Sequence, residues 1–283
     1  MNRTDLETPD SPTNRQGSGL RCLIARRVRF LESCLQPLVR GWRWVPLALL
    51  AGIIPCAISV AFGWTWHQPV TAILLTAMVV PMAGSNRWLA GLAAIVLVFV
   101  SHSAVAITAT ALDPAAAKAA FPGGPDYWDR QLYWIETGTD EEYRLRDWAP
   151  EHALLLAGTT VVSFTSFGGL TFHHGLHEVD LMNYYNGQLI RSSKNGFLAL
   201  ALGWHLWSIL RGAGYTLLSF QLVALAVQFL AMKPVCRPAE HLRHIAYGLL
   251  FLLLDAGVKS VMTSWVQQKL LDNLATFLPI HFL

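Results

Sequence analysis

Between two membrane-length apolar runs the chain reads Gly169-Leu-Thr-Phe-His173-His174-Gly-Leu-His177-Glu178-Val-Asp180 and continues to Asn186-Gly187. On a helix, His173 and His177 stand four apart and share a face, the spacing that lets two imidazoles reach one ion. Glu178 would then serve as a fourth ligand or as a base. The order of the residues is not that of a zinc-protease helix, and no repeated histidine boxes accompany it. Histidines near a helix end are also common as interfacial anchors or hydrogen-bonded caps. Metal binding at His173, His177 and Glu178 therefore stands beside a partner-facing or vestibule-lining surface that carries no cofactor.

Three charged residues fall inside apolar runs: Arg211, Asp255 and Lys259. An ionisable group at bilayer depth is costly unless it is paired or wet. Asp255 and Lys259 are four apart and face each other on a helix, so an internal ion pair is expected, with a proton or substrate relay as the alternative. His102 and His205 lie in apolar runs without a matching partner, which gives no support for a haem. Glu141-Glu142-Tyr-Arg-Leu-Arg146 resembles the EExxxR element of membrane-embedded CAAX-type proteases. Here it lies in an acidic loop without companion histidines, so a solvated charge run is the expectation. No serine-hydrolase, Walker or Rossmann fingerprint is present.

The elements that must carry these residues are read from the apolar runs. Of 283 residues, 53% are hydrophobic and only 14% are charged, against about 25% in an ordinary globular protein. The expected fold is all-α, a polytopic membrane bundle of six to seven apolar segments with a short external cap. Residues 1–18 are polar and read as a disordered tail. A basic amphipathic helix follows at 19–43, with Arg21, Arg26, Arg27 and Arg29 among leucines at helical spacing. Residues 44–111 hold spans at 45–63, 70–83 and 89–110. An acidic, aromatic loop occupies 112–151. Residues 152–265 hold a span at 153–172, a run at 197–231 that Arg211-Gly-Ala-Gly214 interrupts, and a last span at 245–262. An amphipathic tail fills 266–283.

Charge orients the spans. The N-terminal tail, Arg87, Arg191, Lys194 and the segment around Lys233 to Arg243 fall on one side, taken as cytoplasmic by the positive-inside rule. The loop at 113–151, with nine Asp/Glu against four Lys/Arg, falls on the other. The expected location is a bacterial cytoplasmic membrane. The four cysteines lack metal-type or disulfide-type spacing. A net charge of +3 gives no reason to invoke nucleic acid. The expected partners are the lipid bilayer, proteins of a membrane complex and a second copy of the chain, since Gly168-Gly169, Gly203, Gly212, Gly214 and Gly257 would allow close helix contacts.

Within the C-terminal half, Gly169-Leu-Thr-Phe172, Gly175 and Tyr184-Tyr-Asn186-Gly187 resemble the stage II sporulation protein M family. There a glycine-rich span ends in an aromatic-Asn-Gly element. His205 and Gly212-Ala-Gly214 follow in the family's order, and the run at 245–262 completes it. Ser208 and Ile209 occupy the region where the family carries a glutamate. The resemblance covers about residues 150–265 and implies an integral membrane protein tied to envelope remodelling or to partner complexes. The functional expectation is a non-enzymatic scaffold or permease-like subunit of a cell-envelope complex. The alternatives are a transporter or channel using Arg211, Asp255 and Lys259, and a metal-dependent membrane enzyme built on His173, His177 and Glu178.

Overall fold

The computed structural model describes residues 13–139, 145–233 and 237–275. Among them every regular element is helical, and Ser193 to Leu274 is an isolated antiparallel bridge. Helix α1 (Thr13–Leu35) begins inside the stretch expected to be a tail, and residues 1–12 lie outside the described chain. Three apolar helices follow: α2 (Trp44–Phe62), α3 (His67–Gly84) and α4 (Trp88–Leu112). They match the three expected spans to within a few residues. Helix α2 has 19 residues, about 28 Å of rise at 1.5 Å per residue, close to the thickness of a hydrocarbon core. It stops at Gly63, whose φ of +66° suits glycine and whose N–H reaches back to the Ser59 carbonyl.

The expected external loop contains two helices, α5 (Pro114–Ala120) and α6 (Gly124–Thr137). Asp113 caps α5 by accepting from the N–H groups of Ala115 and Ala116, both at 3.1 Å, with Pro114 in the first turn. Glu141 to Arg144 fall in the undescribed gap, and Arg146 lies where only the helical backbone is described.

Three sequence expectations change beyond this point. The run expected to span at 153–172 ends early: α7 (Leu145–Thr165) stops, Phe167 and Gly168 turn the chain in left-handed conformations, and α8 (Gly169–Arg191) runs back. Gly168 is held at φ +84°, and a Cβ there would come within 2.8 Å of both Phe172 and Val223, so the tight reversal requires glycine. The run at 197–231 breaks at Trp204 and His205, giving α9 (Gly196–Gly203) and α10 (Leu206–Leu230). Arg211-Gly-Ala-Gly214 lies inside α10 without interrupting it, because a small-residue stretch packed against a neighbour need not bend. Helix α11 (Pro238–Asn273) extends past the expected last span, so 266–273 belongs to a helix and 276–283 falls outside the described residues.

Helix α8 is inserted in the bundle. Its Gly175 packs on Phe99, and a Cβ at Gly187 would stand 2.9 Å from the Ile107 carbonyl. The helix therefore runs parallel to α4 and finishes beside α6, with Gly124 against Tyr184. One end of the molecule thus carries the α2–α3 turn, α5, α6 and α9. There Asn195 pairs with Asn273, and Gln267 donates to the Ile135 carbonyl. The opposite end carries α1 and the α3–α4 and α10–α11 turns. Lys233 bonds Glu32 at 2.7 Å, and Arg87 donates to the Val39 and Gly41 carbonyls. Arg191 and Lys194, grouped by the sequence reading with the basic loops, fall at the α6 end instead, because α8 carries the chain back across.

Buried apolar residues of α2, α3, α4, α8 and α10 form the main core, and a second core joins α6, α8, α9 and α11. The outer surface is apolar too. Ile53, Ile54 and Ile58 on α2 and Leu249, Leu253 and Val261 on α11 are exposed. Among the described residues five helices are long and apolar enough to cross a membrane: α2, α3, α4, α10 and α11. A shorter apolar helical segment spans His152–Thr165, and the polar α8 is not among the five.

Candidate functional site

Three helices bring His67, His102 and Asp180 together. His67 is the first residue of α3, His102 lies in α4, and Asp180 sits on the face of α8 turned toward both. All three are buried. The Asp180 carboxylate meets His67 Nε2 at 2.7 Å through Oδ2 and His102 Nε2 at 2.5 Å through Oδ1. Gln68 Nε2 donates a further bond to Oδ2 at 2.7 Å. With Asp180 ionised, both imidazoles present Nε2–H to it, and charge-assisted bonds of this kind are about twice as strong as neutral ones.

Packing fixes the rings. The two imidazoles stack with centroids 5.4 Å apart, and Phe121 meets His67 edge-on at 5.3 Å. Cys56, fully buried on α2, lies against His102 and packs in one apolar cluster with Phe121, Ala117 and Ala120. Neither His67 Nδ1 nor His102 Nδ1 has a hydrogen-bond partner among the described residues. Sequence alone gives His102 no partner, and no spacing marks His67. The partner is Asp180, the last polar residue of the stretch that drew attention for its histidines.

The rest of that stretch points elsewhere. His177 and Glu178 are exposed, and His173 and His174 are half-buried. His174 Nδ1 stands 4.0 Å from Glu178 Oε1. Among the described residues the grouping with metal-ligand proximity is His67, His102 and Asp180, and it does not include His173, His177 or Glu178.

Arg211 and Asp255 form a second polar centre between α10 and α11. Arg211 donates through Nε at 2.8 Å and through a terminal nitrogen at 3.3 Å, a two-point grip on the carboxylate. The neighbouring helix thus supplies a salt bridge to Asp255 beside the Lys259 of its own helix. Lys259 is itself buried one turn along α11. His205 is buried nearby, stacked on Trp207 at 4.3 Å and flanked by Trp134 and Tyr185.

The family-like residues divide in the same region. Asn186 is buried, with its amide donating to the Met182 carbonyl at 2.7 Å, and Gly203 presses on its side chain. Gly187 allows α8 to touch the α4 backbone, and a Cβ at Gly214 would stand 2.9 Å from the Gly248 carbonyl. A Cβ at Gly212 would meet nothing within 4 Å.

A third polar layer, missed in the sequence, lies near the opposite end. Gln221 Oε1 meets His241 Nδ1 at 2.6 Å, its Nε2 meets His244 Nδ1 at 3.2 Å, and Trp88 packs on His244. His241 and Gln221 lie twenty positions apart on different helices, so only the antiparallel fold of α10 and α11 could bring them together.

No family model, curated protein or solved structure matches the chain.

Proposed function

We propose that the protein is a polytopic integral membrane protein of a bacterial cytoplasmic membrane, working as a permease-like component of an envelope complex. Five apolar helices and their exposed isoleucine and leucine faces support the membrane setting. Arg40, Arg43, Arg87, Arg237 and Arg243 collect at the α1 end and favour a cytoplasmic N-terminus. Moving Arg191 and Lys194 to the other end weakens that bias without reversing it.

The observation that carries the function is the Arg211–Asp255 pair, with Lys259 one turn away, inside two of the five apolar helices. A well-packed apolar pair would hold α10 to α11 at lower cost than two desolvated charges. Charges kept at such depth are first read as working groups. The pair is the polar step that a proton path between α10 and α11 would use.

The test is proton flux in vesicles containing the purified chain. Wild-type protein should collapse an imposed pH gradient, and Asp255→Asn should reduce the rate to that of protein-free vesicles. No wild-type flux, or flux indifferent to Asp255→Asn, removes the permease reading. A second reading, a scaffold, is favoured by the backbone-to-backbone approach of α10 and α11 at Gly214 and Gly248. It is also the function that the likeness to the stage II sporulation protein M family implies. Stoichiometric partners recovered from native membranes by a flux-inactive protein would support it.

A further inference from the structure

We propose that His67, His102 and Asp180 form a binding site for one divalent transition-metal ion, with zinc as the reference ion. The site does not rest on the permease reading, since it lies in a different set of helices from Arg211 and Asp255. The ligand atoms, two imidazole nitrogens and a carboxylate oxygen, all lie within 4.8 Å of one another. Each comes from a different element, so the bundle has to be assembled before the three converge.

The chemistry of the set selects the ion. Two neutral imidazoles and one carboxylate are the protein ligands of one class of catalytic zinc site, whereas magnesium and calcium favour all-oxygen shells. The Cys56 thiol against His102 brings a second soft group to the edge of the site. Were it to ligate as thiolate, it would give up one proton and the centre would be neutral.

The supporting shell is present. Gln68 holds the carboxylate from outside, the role that outer-shell groups play at metal centres. The stacked rings and Phe121 restrict the imidazoles to small movements. The ligands are tied to one another at 2.5 and 2.7 Å. Tetrahedral bonds of about 2.0–2.1 Å to nitrogen and oxygen need neighbouring ligand atoms roughly 3.3 Å apart. Binding therefore asks each group to withdraw by a few tenths of an ångström, within reach of a side-chain adjustment. It also replaces both Nε2–H bonds with metal bonds and moves each imidazole proton to the Nδ1 that now has no partner. A fourth position remains for water or for Cys56.

The experiment uses the full chain in detergent, stripped with a chelator and titrated with Zn(II) and with Co(II). Metal content is measured after gel filtration, and the ligand field is read from Co(II) absorption. We expect one ion per chain and the visible bands of four-coordinate Co(II). His102→Gln and Asp180→Asn should each weaken binding at least tenfold, whereas the double variant His173→Ala/His177→Ala should bind as wild type does. Helix content and elution volume identify any variant that has not folded, and His67→Gln then replaces it. Failure of folded wild-type protein to retain Zn(II) or Co(II) at one per chain overturns the proposal. So does an ion that His173→Ala/His177→Ala removes and His102→Gln leaves in place.

Discussion

Asp255 shows how one carboxylate can be decided by a residue from another helix. The i,i+4 spacing on α11 offers it Lys259, and Arg211 of α10 reaches both carboxylate oxygens. A guanidinium presents two parallel N–H groups in one plane, which an ammonium cannot. Removing one partner of such a buried pair leaves the other desolvated without its counter-charge, a loss of about 3–5 kcal/mol. Asp255→Leu alone should therefore lower thermal stability in detergent far more than Asp255→Leu combined with Arg211→Met. The combined variant should recover most of the loss. Equal destabilisation by the single and combined variants would mean that Asp255 stabilises the fold through something other than Arg211. The same logic explains why the His67, His102 and Asp180 cluster was illegible in sequence. Its members are separated by 35 and 78 positions, and no local spacing joins them. A histidine in an apolar run and an aspartate at the end of a polar stretch are the only signals, and each is individually ambiguous.

At the scale of elements, apolar run length was enough to find α2, α3, α4 and the middle of α11, because a span must be about twenty apolar residues whatever surrounds it, but it put the break in 197–231 at Arg211 to Gly214, inside α10. It was not enough for α7 and α8. Helix α8 is polar on one face, and what buries it is the surrounding helices. The chain reversal before it depends on Gly168, whose contact with Val223 is a long-range fact. Glycines were equally undifferentiated in sequence, and the fold separates them. A Cβ at Gly248 would stand 2.8 Å from Leu218 and 3.1 Å from the Gly214 carbonyl, where two backbones already touch. At Gly212 and Gly257 a Cβ would meet nothing within 4 Å. Gly248→Ala should thus force α10 from α11 and cost about 1–3 kcal/mol, the usual penalty of overpacking. Gly212→Ala and Gly257→Ala should be neutral or stabilising by up to about 1 kcal/mol through better helix propensity. Thermal melts of the three variants check this, and equal effects at Gly248 and Gly212 would contradict the α10–α11 crossing.

For the whole molecule, the course of α8 decides on which side of the membrane the middle of the chain emerges. Were 153–172 one span followed by a polar surface segment, Lys194 would share a side with Cys22, Cys34 and Arg87. With α8 inserted beside α4, Lys194 stands at the α6 end, exposed, with its Nζ donating to the Asp272 carbonyl at 3.0 Å. The two arrangements put the same residue on opposite faces, which an impermeant thiol reagent distinguishes. In a chain with Cys22, Cys34 and Cys236 replaced by serine and the buried Cys56 retained, Lys194→Cys should react in intact spheroplasts. In a parallel chain that keeps only Cys34 and Cys56, Cys34 should react after the membrane is opened and not before. Cys34 is exposed on α1, so its silence in intact spheroplasts would report the membrane and not burial. Labelling of Lys194→Cys only after opening would return α8 to the surface on the α1 side. The packing of Gly187 on Ile107, and with it the meeting of Asp180 with His67 and His102, could not then hold in the membrane.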